Sequence, residues 1–111
     1  MIIDMTLGLR QTVKTPHFIP TIYSITNKRN GRQYFGCAEN ALNRLVAHIC
    51  ALNSDRHVNK ALLADWDDIS NFRFEILESE KSRTKAEAIE TKYIQSVVNP
   101  YNVRKRKREM K

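Results

Sequence analysis

Five side chains in this sequence have the types and spacing to act together: Tyr23, Tyr34, Arg44, His48 and Glu90. The tyrosines lie in the stretch TIYSITNKRNGRQYFG, Thr21 to Gly36. Ile22, Tyr23 and Ile25 favour a strand, Asn27 to Arg32 supplies the residues of a hairpin loop, and Tyr34 to Gly36 resumes extended chain. Paired antiparallel, the two strands bring Tyr23 and Tyr34 close together on one sheet face. By itself the stretch favours packing aromatics over hydroxyls that face a site. From Asn40 to Asn53, Leu42, Leu45, Val46, Ile49 and Leu52 recur at helical spacing and form one apolar face. Arg44 and His48 fall one turn apart at the edge of that face and point toward whatever the helix packs on. Taken singly, Arg44 reads better as a solvated helix arginine and His48 as a surface or boundary histidine. Glu90 is the anomaly. Ala86, Ile89, Tyr93, Ile94 and Val97 make the inward arc of a helix, and Glu90 falls inside it. A carboxylate there needs a cation beside it, either an arginine or a metal ion, and both readings stand open.

Several further elements must position these groups. A second helix is expected from about His57 to Ile69, with Val58, Leu62, Trp66 and Ile69 inward. Asp65, Asp67 and Asp68 near its end read as surface charge, with a metal role left open. Asn71 to Leu77 (NFRFEIL) alternates, with Phe72, Phe74 and Ile76 on one side and Arg73 and Glu75 on the other, as in a half-buried strand. Ser82 or Thr84 can cap the helix that carries Glu90, which runs to about Val98 and ends at Asn99-Pro100. Tyr101, Asn102 and Val103 follow as a short ordered segment. Residues 1 to 18 show no clear period and read as a loosely attached extension. Within it Met1 to Met5 and Thr6 to Leu9 could add an edge strand, and Thr15-Pro16 and Pro20 break regular structure. The globular part reads strand, strand, helix, helix, strand, helix, an α+β order over residues 19–103.

Composition narrows the partners. The chain has 111 residues, enough for one domain, with 41% hydrophobic and 28% charged residues. No run approaches the roughly 18 apolar residues of a membrane span, and the first residues lack the pattern of a secretory signal. Cys37 and Cys50 have no partners at zinc-ligand spacing and read as reduced, Cys50 in the core and Cys37 at a strand end. The net charge is +7, of which the tail Arg104 to Lys111 (RKRKREMK) supplies five. Such a tail suits an anionic partner, most simply nucleic acid, or else serves only solubility. No glycine-rich phosphate loop is present.

The ordered set TIY, then YFG after ten intervening residues, N-R-L-V-A-H in the next helix, Glu90 in the last helix and Asn102 after it resembles the GIY-YIG nuclease family. The connecting phrases ITNKRNG, HVNKALLADW and FRFEILE read like those of phage and mobile-element members. The resemblance implies a small three-stranded antiparallel sheet flanked by helices, in the order β-β-α-α-β-α, and a DNA endonuclease using one divalent metal, Mg²⁺ or Mn²⁺. It implies Tyr23 and Tyr34 as the motif tyrosines, Arg44 and His48 as the catalytic pair of the next helix, and Glu90 as metal ligand. Asn102 matches the asparagine near the domain end and, with Arg104, Lys105, Arg106, Lys107 and Arg108, is expected to meet nucleic acid. His57 resembles a histidine of some homing members. Three positions depart from the pattern. Thr21 stands where the motif begins with glycine, Phe35 replaces isoleucine, and Cys37 stands where some members carry lysine.

For phosphodiester hydrolysis, Glu90 alone could hold Mg²⁺, which keeps several waters. Arg44 could fork onto phosphate oxygens. Tyr23 would be a poor base unless its phenolate is stabilised, with His48 expected to take the proton onward. Tyr34 would orient water or phosphate. Homing members carry a separate recognition region, so specificity here is expected to be low or to come from the extension and tail, a homodimer or a recognition partner. The alternative is a non-catalytic nucleic-acid-binding module on the same fold, which intact Tyr23, Arg44 and Glu90 disfavour. Localisation defaults to the cytoplasm, or the nucleus in a eukaryotic host, with no membrane association.

Overall fold

The computed structural model describes residues 2–5 and 19–102. Its elements in chain order are β1 (Ile2–Ile3), β2 (Thr21–Asn27), β3 (Gln33–Ala38), α1 (Ala41–Asn53), α2 (Lys60–Asp65), a single 3-10 turn (Ile69–Asn71), β4 (Phe72–Ser79) and α3 (Arg83–Ser96). The expected strand over Thr6 to Leu9, Val103 and the basic tail lie outside the described residues.

β2 is the centre of the sheet, and all seven of its residues are buried. It pairs antiparallel with β3 on one side and β4 on the other. The β2–β3 loop turns at Gly31, whose φ of +77° is a left-handed conformation that glycine adopts freely. Tyr23, Ile25, Phe74 and Ile76 belong to the main core with Ala41, Leu45 and Leu52 of α1 and Leu62 of α2. On the opposite face α3 packs across β3 and β2, with Tyr93 stacked on Phe35 at 5.5 Å between ring centroids. The sheet is thus flanked by helices on both sides, and an apolar side chain is needed on each face of β2.

The sheet has four strands in the order β1-β4-β2-β3, where three were expected, and an additional strand opens the element order. Ile2 and Ile3 pair with Glu75 and Phe74 along the outer edge of β4. Ile3 and Met5 are buried in the main core. Residues 2–5 thus supply the edge strand that the sequence allowed over Met1 to Met5. Two paired residues carry no readable periodicity; they are held by long-range pairing and burial.

The second helix is shorter than its apolar spacing suggests. Asn59 takes the N-cap, accepting from the Leu62 N–H at 3.0 Å, so α2 begins only at Lys60. Val58, expected inward, precedes the cap and is 88% exposed. Leu62 is fully buried as expected, and Trp66 packs on Phe72 at 4.7 Å beyond the end of the helix. Cys50, expected in the core, lies on the solvent side of α1, and both cysteines are free thiols.

After α3 the chain is strapped along the open edge of β3. The Tyr101 N–H donates to Gln33 O at 2.8 Å. The Asn102 side chain then imitates a ladder rung, accepting from the Phe35 N–H at 2.9 Å and donating to Phe35 O at 2.8 Å. Tyr101, 2% exposed, donates from its hydroxyl to Asp65 at 2.6 Å and accepts from Asn27 at 3.0 Å, and Arg32 stacks on its ring. This covers an edge that would otherwise present unpaired backbone.

Candidate active site

The register of the hairpin places both motif tyrosines on the face covered by α1. Tyr23 lies opposite Gly36, and Tyr34 lies opposite Ile25, so the tyrosines are diagonal neighbours. Gly36 is required by this pairing. A Cβ there would fall on the Tyr23 ring, overlapping Cζ and Oη. The glycine of YFG is thus the recess in which the Tyr23 ring lies.

From α1, His48 reaches the Tyr23 Oη at 2.8 Å through Nε2, and its ring meets the Tyr34 ring edge-on at 5.2 Å. His57, in the loop before α2 and only 3% exposed, joins the same group. Its Nε2 lies 2.7 Å from His48 Nδ1, the two rings stacked at 4.9 Å, and its Nδ1 accepts from the Asn59 backbone N–H at 3.0 Å. Asn59 is itself fixed, donating from its side chain to Tyr101 O at 2.7 Å while capping α2. Sequence spacing gave no reason to single out Asn59; its role depends on where the C-terminal strap crosses.

Electrostatics follow from burial. The Tyr23 phenol is pushed well above its ordinary range by burial first, then by Tyr34 and Glu90, with the Arg44 guanidinium drawing the other way. Tyr34 is raised by burial and by Glu90, again opposed by Arg44. His48 is pushed down to about 4 by burial, then by His57 and Arg44, so it is neutral at pH 7. Burial lowers His57 in the same direction. Arg44 and Glu90 therefore act on the same two hydroxyls, although they come from helices on opposite faces of the sheet.

Glu90 is half-buried on α3, and burial and the neighbouring Glu87 hold its carboxyl above the usual range. Among the described residues it makes no hydrogen bond or salt bridge, and the Arg83 guanidinium acts on it only through its charge, drawing the carboxyl down. Among those residues no group of three His, Cys, Asp or Glu could hold a metal ion. A single half-buried carboxylate suits a hard ion that keeps most of its water, such as Mg²⁺ or Mn²⁺, and does not suit zinc.

Asp65, Asp67 and Asp68 are structural. Asp65 holds Tyr101, Asp67 accepts from Arg29 at 2.8 Å, and Asp68 caps the 3-10 turn. Asn102 has both ends of its amide on the Phe35 backbone and stands as a structural tie. Thr21 is accommodated: its hydroxyl donates to Ile19 O at 2.8 Å and meets Ser79 Oγ at 2.9 Å. Beside the tyrosine cluster, a groove of about 420 Å³ opens between α1 and the start of α3. Asn40, Asn43, Arg44 and Arg83 line it, with Glu39 at one side. Arg83 is exposed, with only a loose 3.7 Å pair to Glu87. Sequence reasoning did not single it out, because a charged residue in the first turn of an exposed helix carries no pattern.

A central antiparallel sheet between α1 and α3, with two tyrosines, an arginine and a histidine grouped on the α1 side and a half-buried glutamate on α3, defines a nuclease-like α+β domain. The sequence profile of the GIY-YIG catalytic domain matches residues 19–102, and the chain belongs to that family. Among solved structures, the fold is similar to the catalytic domain of the homing endonuclease I-TevI, with a TM-score of 0.71 and 23% identity. That likeness covers 78% of this chain and 99% of the other. Among curated proteins, none is significantly similar in sequence.

Proposed function

We propose that this chain is a divalent-metal-dependent endonuclease that hydrolyses phosphodiester bonds in DNA. The observation that carries the reading is the grouping of Tyr23, Tyr34, His48 and Arg44, with a half-buried Glu90 on α3 whose charge acts on both tyrosine hydroxyls. Mg²⁺ or Mn²⁺ held by Glu90 would act as a Lewis acid toward the phosphate. Arg44, on the exposed side of α1, reaches phosphate oxygens in the groove and offsets their charge with its planar fork. Arg83 on the facing wall takes a phosphate further along the same strand. Tyr23 is the general base. Its proton is released when Arg44 and a neutralised Glu90 remove part of what holds the phenol up. The phenolate then takes a proton from the attacking water as the new P–O bond forms and the strand's own P–O bond breaks. The leaving oxygen is protonated from solvent. Tyr34 orients the water or the phosphate through its hydroxyl. The basic tail adds phosphate contacts independent of sequence.

Supercoiled plasmid incubated with the full chain should be nicked or linearised in Mg²⁺ or Mn²⁺ and stay intact in chelator. Binding with no cleavage in either metal would leave a non-catalytic nucleic-acid-binding domain instead.

A further inference from the structure

The hydrogen-bond chain behind Tyr23 has one polarity, and a backbone group sets it. A peptide N–H can only donate. His57 Nδ1, at 3.0 Å from the Asn59 N–H, must therefore carry its lone pair. The neutral His57 ring then has its proton on Nε2 and donates it across 2.7 Å to His48 Nδ1. With Nδ1 accepting, His48 has its own proton on Nε2 and donates across 2.8 Å to the Tyr23 oxygen. The opposite polarity would set two N–H groups against each other at Asn59. A proton added to His48 would do the same at the His48–His57 contact. His57 is 3% exposed, so water cannot relieve such a clash.

We propose that the Asn59 backbone N–H acts as the positioning group that fixes both imidazoles as donors toward Tyr23, so that the pair stabilises a Tyr23 phenolate and never receives its proton. The proton leaves on the groove side, toward Tyr34, Arg44 and solvent. This deepens the nuclease reading and rests on it. It reverses the expectation that His48 takes the proton onward: both ring nitrogens of His48 are already committed. The donor into Tyr23 strengthens as negative charge develops on the phenolate oxygen, because hydrogen bonds to a charged acceptor are the strong ones. The Asn59 side chain is tied both to α2 and to Tyr101, while its backbone N–H alone sets the polarity. The C-terminal strap thereby reaches Tyr23 through three intermediaries, Asn59, His57 and His48.

The test is ¹⁵N NMR of histidine-labelled full chain at pH 7, paired with two variants. His48 and His57 should both show the neutral Nε2–H tautomer. An Nδ1–H tautomer or an imidazolium at either position overturns the inference. Asn59→Ala and Asn59→Pro both lose the side-chain cap, but only proline lacks the N–H. The alanine variant should keep both tautomers. The proline variant should show mixed tautomers at His57 and cleave plasmid at least tenfold more slowly than the alanine variant at similar KM. Equal rates with unchanged tautomers overturn the role of the N–H. If Asn59→Pro does not fold, the wild-type and Asn59→Ala spectra still decide the polarity. The spectra need no DNA, so the two readings fail separately. Reversed tautomers in a cleaving enzyme sink only this inference, whereas the expected tautomers in a protein that cleaves nothing sink the nuclease reading and Tyr23's role with it.

Discussion

Gly36→Ala is the smallest change that should disable the site. The added methyl would fall on the Tyr23 ring, and that ring has nowhere to go: it is 1% exposed and its oxygen is held by His48 at 2.8 Å. Forcing a methyl into a filled core costs ~1–3 kcal/mol. Loss of the Tyr23–His48 hydrogen bond adds ~0.5–1.5 kcal/mol. The variant should therefore lose about 2–4 kcal/mol, a large share of the ~5–15 kcal/mol that stabilises a typical domain. Where it remains folded, a displacement of the reacting oxygen by ~1 Å should slow cleavage about a hundredfold. Urea denaturation gives the first quantity and plasmid nicking the second. The decisive control is Tyr23→Leu, which lacks the ring atoms that collide. In that background Gly36→Ala should be near neutral or slightly stabilising, because glycine is a weak strand former. A Gly36→Ala variant that loses less than about 0.5 kcal/mol and cleaves at the wild-type rate would refute the packing argument, since surface-like changes stay within that range.

Three further outcomes are expected. Because His48 titrates at about 4 in the folded protein against an ordinary 6.5, the unfolded chain binds the proton first and stability rises with pH across that window. Unfolding free energy should fall by about 2–3 kcal/mol between pH 7 and pH 4, with a shallower slope in His48→Asn, and denaturation at a series of pH values reads both. Asn102→Ala removes the side-chain rung on β3 and should cost about 1–3 kcal/mol with loss of hydrogen-exchange protection at the Phe35 amide; retained protection would show that the strap is held elsewhere. Deleting residues 104–111 should weaken DNA binding and flatten its salt dependence, since each neutralised phosphate releases counterions; an unchanged slope would remove the tail from the interface.

What could be read from the chain before folding depended on how local the signal was. Arg44 and His48 were legible because four residues on a helix are one turn, and the apolar face of α1 fixed which way they point. Tyr23 and Tyr34 were placed on a common face by strand alternation alone. Glu90 stood out because a carboxylate interrupts the apolar arc of α3. The misses have separate causes. Val58 sits at helical spacing from Leu62, but Asn59 takes the N-cap, so the helix starts only after it. Cys50 was placed in the core by residue type, although its helix turns it to solvent. The edge strand allowed over Met1 to Met5 is there, but its partner, β4 some seventy residues away, lies outside any window of sequence. The roles of Asn59 and Gly36 depend on what other segments bring against them, and only the folded arrangement makes them visible.

The central claim rests on Glu90 as the group that holds the cation. Wild type and Glu90→Ala should be compared on the same plasmid in Mg²⁺, with DNA affinity measured alongside. The account predicts undiminished DNA binding and cleavage slower by about a thousandfold, since a metal's Lewis-acid contribution is worth several kcal/mol and each 1.36 kcal/mol is tenfold in rate. A Glu90→Ala variant that nicks plasmid at the wild-type rate would contradict it.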